Sequence, residues 1–402
     1  MNSSERIKNI TKVVEQLDIS PSLYKNAVEK YNNLAKFLNE KGIEADIYPQ
    51  GSFALGTVVR PSKKNQNPGY DLDFICQVSG TKENQKPLDV YNQIKDVLNS
   101  DKTYRDRLDI WDECFTINYA DIGDTGFSID IVPATGENEE IKSKIKMVCD
   151  EKIADTAIAI PHCVDEEEYD WITNNPLGYR KWFNEINAPY KEASREQFRQ
   201  AFFESCNEYA SIEEIPEEME RSSLQRVVQI LKAHRNNYFS SSKREKMKPK
   251  SVIITTLVAE ISSHLDANLG TFELLDKVLK ELDIYSNRQI FTESVFESKF
   301  GLHTAITRPD GEWKMPNPAN PDDNLVNSWN EDNEFPKFFF GWLKTAQEEL
   351  LDSLNKDDQE FRAFMENAFG QENIQKAWNN QYINRPVSTI IQETAGRPWG
   401  KA

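Results

Sequence analysis

Tyr48-Pro49-Gln50-Gly51-Ser52-Phe53-Ala54-Leu55-Gly56-Thr57, followed after a polar interval by Tyr70-Asp71-Leu72-Asp73-Phe74, is the stretch on which the fold turns. Ile43 to Tyr48 is short and apolar enough for a strand, and Pro49-Gln50-Gly51-Ser52 converts it into the start of a helix. Glycine at such a turn lets the backbone approach a phosphate, while amides at a helix start and a serine hydroxyl donate hydrogen bonds to its oxygens. In the second stretch, side chains two apart on a strand share a face, so Asp71 and Asp73 set two carboxylates side by side while Leu72 and Phe74 point into a core. Their mutual repulsion requires a partner, and divalent cations with oxygen ligands, paired about 3.5–4 Å apart, are the usual one in phosphoryl and nucleotidyl transfer. In Phe127-Ser128-Ile129-Asp130-Ile131 the apolar residues take one face and Asp130 the other, so a third carboxylate can meet the first two from a neighbouring strand. Each piece alone has a plainer reading: a turn for Gly-Ser, a solvated face for Asp-x-Asp, an edge-strand gatekeeper for Asp130. Their order and spacing together point to metal-dependent nucleotidyl transfer.

Working outward, Ile7, Ile10, Val13, Val14 and Leu17 recur at helical spacing, and Ser20-Pro21 reads as an N-cap followed by proline in the first turn of a second helix ending near Gly42. Residues 61 to 69 are a polar breaker, after which Tyr70 to Val78 reads as a strand and Asp89 to Leu98 as a helix. Ile110 to Tyr119 and Gly126 to Val132 are expected as strands, with Ala154 to Ile160 as another at the sheet edge. From Pro176 the spacing becomes helical, Ser251 to Leu265 resumes as an apolar helix, and Arg308 to Asp323 is expected as a long ordered loop. The expected organisation is α+β: a catalytic lobe with N-terminal helices over 1–165, a helical lobe over 166–378 that closes the cleft, and a polar tail over 379–402.

With 402 residues, 38% hydrophobic and 28% charged, the chain suits two packed lobes or one lobe with a large helical extension and can bury a substantial core, and it contains no apolar run long enough to cross a membrane. Met1 to Arg6 lacks the features of a signal peptide, so a cytoplasmic protein is expected. Five scattered cysteines, none in a C-x-x-C pair, predict reduced thiols rather than disulfides or a zinc ribbon. His162-Cys163, the one adjacent pair of possible metal ligands, has no second pair at finger spacing. A formal charge of −18 argues against binding long nucleic acid over a wide surface, while small anions remain accessible to a local cation or metal.

The segments 48–57, 70–74 and Ser128-Ile129-Asp130-Ile131-Val132-Pro133 resemble those of the polymerase-beta-like nucleotidyltransferases. More narrowly they resemble the bacterial cyclic-oligonucleotide synthases called CD-NTases, relatives of animal cyclic GMP-AMP synthase and oligoadenylate synthetase. Asn175-Pro176-Leu177-Gly178-Tyr179-Arg180-Lys181-Trp182-Phe183, Leu224 to Arg235, Lys250 to Ile254 and the loop from Asn317-Pro318 to Trp329 extend the resemblance over most of residues 40 to 330. It implies a polymerase-beta-like lobe packed on a helical lobe, and Asp71, Asp73 and Asp130 as catalytic ligands of two Mg²⁺ ions. It also implies NTP substrates, ATP and GTP foremost, contacted by Gln50, Gly51 and Ser52, with Lys232 and Ser251 reaching the β- and γ-phosphates. Two readings of Lys232 stand: a charge in an apolar stretch facing an anion, and a lysine on the exposed face of an amphipathic helix. Ser251 reads equally as a helix N-cap. The long interval between Ser52 and Asp71, with Lys63, Lys64 and Asn65, departs from the family's commoner pattern.

The resemblance further implies anti-phage (CBASS-type) signalling, a separate effector reached only through the cyclic product, and a ubiquitin-ligase-like partner conjugating the end Gly396-Arg397-Pro398-Trp399-Gly400-Lys401-Ala402. Two other functions compete. A linear nucleotidyltransferase would modify RNA, a protein or a small molecule, with Lys243 to Lys250 as a local basic patch. A nucleotide-binding regulator would have lost catalysis, against which all three carboxylates speak.

Overall fold

Short polar side chains start the first helices. Asn2 accepts the Glu5 amide at 2.9 Å and opens α1 (Ser3–Glu15); Ser20 accepts the Leu23 amide at 3.3 Å, with Pro21 in the first turn, and opens α2 (Pro21–Glu40). Each supplies an acceptor that the first turn of a helix lacks. The computed structural model of the chain describes residues 2–60, 69–122, 125–165, 168–205, 220–241 and 244–379. The expected tail past Asn379 and the breaker at 61–68 lie outside them.

From β1 (Ala45–Pro49) the chain passes through α3 (Gly51–Ala54) to β2 (Gly69–Thr81), the long central strand. There follow α4 (Pro87–Ser100), α5 (Lys102–Arg105), β3 (Leu108–Ile110), β4 (Phe115–Ile122), β5 (Thr125–Gly136), α6 (Glu139–Lys146), α7 (Glu151–Ala154), β6 (Ile158–Asp165) and β7 (Glu168–Asn174). The sheet runs β1-β2-β5-β4-β3, with β6 joining β5 and β7 joining β6. Only β2 and β5 are parallel among these pairs. Alternation acts as expected: Leu72, Phe74, Phe127, Ile129 and Ile131 are buried against α2 and α4, through Leu34, Leu38, Val90 and Ile94.

Three expectations change. The single strand over 110–119 is two, β3 and β4, paired antiparallel across a turn in which the Trp111 amide donates to the Cys114 carbonyl at 3.0 Å. Residues 154–160 do not form an edge strand: Glu151 to Ala154 is helix α7, and β6 has partners on both sides because β7 covers its outer edge. The sheet therefore continues to Asn174, and the division between lobes is better drawn there than after residue 165.

The second core is helical: α8 (Pro176–Ser205), α9 (Ser223–Tyr238), α10 (Ser251–Ser262), α11 (Thr271–Ser286) and α12 (Glu293–Phe300). A hairpin follows, β8 (Pro316–Asn317) with β9 (Asn320–Asn324), inside the stretch expected as plain loop; then come α13 (Ser328–Glu331), α14 (Glu334–Leu350), α15 (Asp358–Phe369) and α16 (Gln371–Trp378). Helix α1 belongs to this core rather than to the sheet, because Ile10, Val13, Val14 and Leu17 form an apolar stripe that the helical bundle buries. Arg6 locks it there, donating to the carbonyls of Leu354 at 2.9 Å and Lys356 at 2.6 Å and pairing with Asp358 at 2.7 Å. No described helix is long and apolar enough to cross a membrane.

Candidate active site

The β1–α3 turn is tied to the neighbouring strand by one hydrogen bond, from the Gln50 amide to the Asp73 carbonyl at 2.8 Å. Gly51 has φ +61°, and a Cβ there would lie 2.6 Å from Asp73 Oδ2. Both facts demand glycine: the backbone is left-handed and the Asp73 carboxylate rests on the bare Cα. Ser52 follows in the first turn of α3, where amides lack intrahelical acceptors.

Asp73 and Asp130 stand opposite each other in the parallel β2–β5 register, and Thr116 stands opposite Asp130 from β4. Thr116 Oγ1 donates to Asp130 Oδ1 at 2.6 Å and accepts from the indole Nε1 of Trp111 at 3.0 Å. Asp71 is on β2 opposite Ser128; its side chain is outside what the structure describes, and the described residues alone form no cluster of three or more His, Cys, Asp or Glu able to hold a metal. Paired carboxylate oxygens across two strands nonetheless have the donor chemistry of a Mg²⁺ site. Their field is visible at the half-buried Cys114, whose thiol is pushed up to about 11 by burial and then by the charges of Asp130, Glu113 and Asp73.

Helix α9 faces this sheet edge with buried polar side chains. Gln225 Nε2 donates to the Leu55 carbonyl at 2.8 Å, Gln229 Nε2 to Val58 at 2.8 Å, and Lys232 Nζ to Thr57 at 2.9 Å. Three residues on one helical face thus satisfy the carbonyls of the segment leaving α3, which has no strand or helix of its own to do so. Lys232 is 5% exposed, which rejects the solvent-facing reading. Burial, with Arg235 nearby, lowers its pKa to about 7 against the opposing pull of Asp73. Ser251 is not an N-cap either, since Lys250 occupies that position; Ser251 Oγ accepts from Arg235 Nη1 at 2.9 Å.

Gln50, Gly51, Ser52, Lys232 and Ser251 all line one cleft, joined by Thr57, Asn175, Tyr179, Arg180, Thr255 and Asn317. Sequence reasoning passed over Arg180. It is half-buried, makes no hydrogen bond or ion pair with any described residue, and so presents an uncommitted guanidinium to the cleft. The signal was present in Tyr179-Arg180, one turn into α8, but nothing local shows that this turn faces the β1–α3 loop. Thr116 and Trp111 were missed because 110–119 was read as one strand. His162 contacts Glu113 through Nδ1, on β6, and takes no part in the cleft.

Residues 5–187 match the sequence model of the Second Messenger Oligonucleotide or Dinucleotide Synthetase domain. Along 374 residues the chain is 26% identical to the c-di-GMP synthase of Roseivirga ehrenbergii, covering 92% of this chain and 85% of that protein. Its fold matches the CD-NTase CdnG of Bradyrhizobium diazoefficiens, solved with GTP, at a TM-score of 0.63 and 18% identity over 92% of this chain and 97% of the other. It also matches the structure of the Escherichia coli MS115-1 CdnC:HORMA-deltaN complex, at a TM-score of 0.55 and 14% identity over 90% of this chain and 96% of that one. Over residues 5–187 the chain thus resembles that synthetase domain, and as a whole it has the fold of these CD-NTase structures.

Proposed function

We propose that the chain is a CD-NTase that joins nucleoside triphosphates and closes the product into a cyclic di- or oligonucleotide. The observation that carries the reading is convergence: the Gln50-Gly51-Ser52 turn lines one cleft with Lys232, Ser251 and Arg180 from the helices, and Gly51 lies against the Asp73 carboxylate, which stands opposite Asp130 in the sheet. GTP is the first substrate to test, since the Roseivirga relative is a c-di-GMP synthase and CdnG was solved with GTP.

In this reading Gln50, Gly51 and Ser52 seat the α-phosphate, while Lys232, Ser251 and Arg180 meet the β- and γ-phosphates. Magnesium bound by Asp73 and Asp130, with Asp71, would supply Lewis-acid stabilisation and activation of the nucleophile. The acceptor hydroxyl oxygen forms a bond to the α-phosphorus, its proton leaving to Asp130 or solvent, and the bond to the bridging oxygen breaks to release pyrophosphate. The linear product rebinds with its own triphosphate in the cleft, and a second, equivalent transfer closes the ring. Family resemblance supports a role in anti-phage signalling through an effector that reads the product.

Incubating the protein with α-labelled NTPs and Mg²⁺, then adding phosphatase, tests the reading. Small phosphatase-resistant products that vanish in Asp73→Asn are expected. Products that keep terminal phosphates, or a labelled macromolecule, would instead favour linear transfer.

A further inference from the structure

Trp111 is 56% exposed, yet it is held by three hydrogen bonds. Its amide donates to the Cys114 carbonyl at 3.0 Å, its carbonyl accepts from the buried Tyr91 hydroxyl at 2.6 Å, and its indole Nε1 donates to Thr116 Oγ1 at 3.0 Å. The third bond continues to the proposed reaction centre, because the Thr116 hydroxyl in turn donates to Asp130 Oδ1 at 2.6 Å. Indole is a donor only, so the threonine hydroxyl has one direction left for its hydrogen, and the carboxylate is oriented by an exposed ring two hydrogen bonds away.

The position of that ring across the sheet says what it meets. In the order β1-β2-β5-β4-β3, the phosphate turn follows β1, Asp73 is on β2, Asp130 on β5, Thr116 on β4, and Trp111 lies just past β3. Lys232, Ser251 and Arg180 line the cleft at the β1 end of this row. Displacement at phosphorus runs in line, with attacking and leaving oxygens on opposite sides. Pyrophosphate departs toward the cations, so the attacking hydroxyl arrives from the side of β4 and β3.

We infer that Trp111 is the stacking platform for the base of the acceptor nucleotide, and that Thr116 is a positioning residue that aims Asp130 at that nucleotide's hydroxyl. This rests on the transfer reaction proposed above. The ligand class is a nucleobase, with purines favoured by their larger stacking face.

The test separates acceptor from donor. 2′,3′-Dideoxy-GTP has no hydroxyl to attack with and serves only as donor, while GMP has no pyrophosphate to lose and serves only as acceptor. Trp111→Ala is expected to raise KM for GMP by between about fivefold and a hundredfold, the range of base–aromatic stacking, with KM for dideoxy-GTP unchanged. Trp111→Phe keeps a ring and stays within a few-fold of wild type in that KM. Thr116→Val lowers kcat at unchanged KM for GMP, and Thr116→Ser restores it. Independently of turnover, protein carrying 5-fluorotryptophan should show a ¹⁹F resonance, assigned by its loss in Trp111→Phe, that shifts saturably with GMP in the absence of metal. An unmoved resonance, an unchanged acceptor KM in Trp111→Ala, or equal rises in both KM values overturns the platform. If wild type transfers no nucleotide while the resonance still moves, the proposed reaction and the acceptor role fail together, and what stands is a nucleobase-binding ring.

Discussion

The carboxylate side of the cleft and its cationic side handle charge differently. Asp73 and Asp130 are half-exposed on strands whose other faces are buried, so each lies where pleating puts a polar residue. On α9 the polar residues Gln225, Gln229, Lys232, His234 and Arg235 are buried along with the apolar ones. They are tolerated because each has a partner: loop carbonyls for Gln225, Gln229 and Lys232, Glu349 and Trp342 for His234, and the Pro249 carbonyl and Ser251 for Arg235. Charge on a half-exposed sheet face costs little, because water still reaches it. Charge inside a helical core is expensive, so the protein keeps it only where a ligand or a backbone carbonyl repays the desolvation.

If that contrast is right, changes on the sheet side cut turnover and changes on the helical side cut binding. The largest effect is expected for Asp73→Asn, which loses metal affinity and transition-state stabilisation worth several kcal/mol, about a thousandfold or more in kcat, with the thermal midpoint near wild type. A steady-state assay beside a melting curve checks it; a large KM effect at normal kcat would break the contrast.

Gly51→Ala comes next. Left-handed backbone strain of about 1–3 kcal/mol, added to the contact with Asp73 Oδ2, should lower the melting temperature and cut kcat more than tenfold. A variant that melts as wild type and turns over normally would show that the carboxylate can shift without loss.

On the helical side, Lys232 gives a pH signature. Its folded pKa of about 7 lies below the ordinary 10.5, so between those values the unfolded chain binds the extra proton and stability falls as pH drops from 10.5 towards 7. Triphosphate favours the ammonium, so nucleotide binding above pH 7 should take up a proton, and affinity should weaken as pH rises, by up to about tenfold per unit. Calorimetry in buffers of different ionisation heat reads the uptake, and Lys232→Met should abolish it. Arg180→Ala should raise the triphosphate KM by about tenfold at nearly unchanged kcat, the loss of one charge-assisted contact. The smallest effect is Gln229→Ala, which strands the Val58 carbonyl and should cost about 1–3 kcal/mol of stability, read as a modest fall in melting temperature.

The local rules read well wherever the determinant is itself local. Ser20 and Pro21 announce the start of α2, Gly51-Ser52 announces the turn, and the alternation in 70–74 and 127–131 assigns the faces of β2 and β5. They failed where a partner distant in sequence decides. Residues 110–119 look like one strand until the Trp111–Cys114 turn closes, β6 looks like an edge until β7 covers it, and α1 looks like part of the sheet lobe until Trp378 donates to the Asn9 carbonyl at 2.9 Å.

The proposed chemistry is legible along the chain: glycine and serine at one turn, and aspartates on two strands whose alternation puts them on the polar face. Which residues share the cleft with the Gln50–Ser52 turn is settled only by packing, because Lys232, Ser251 and Arg180 come from helices whose own pattern does not say which face turns to the sheet. The physical reason is range. Hydrophobic alternation and capping act over a few residues and can be read along the chain, whereas the cost of a buried charge is set by neighbours brought from far away in sequence.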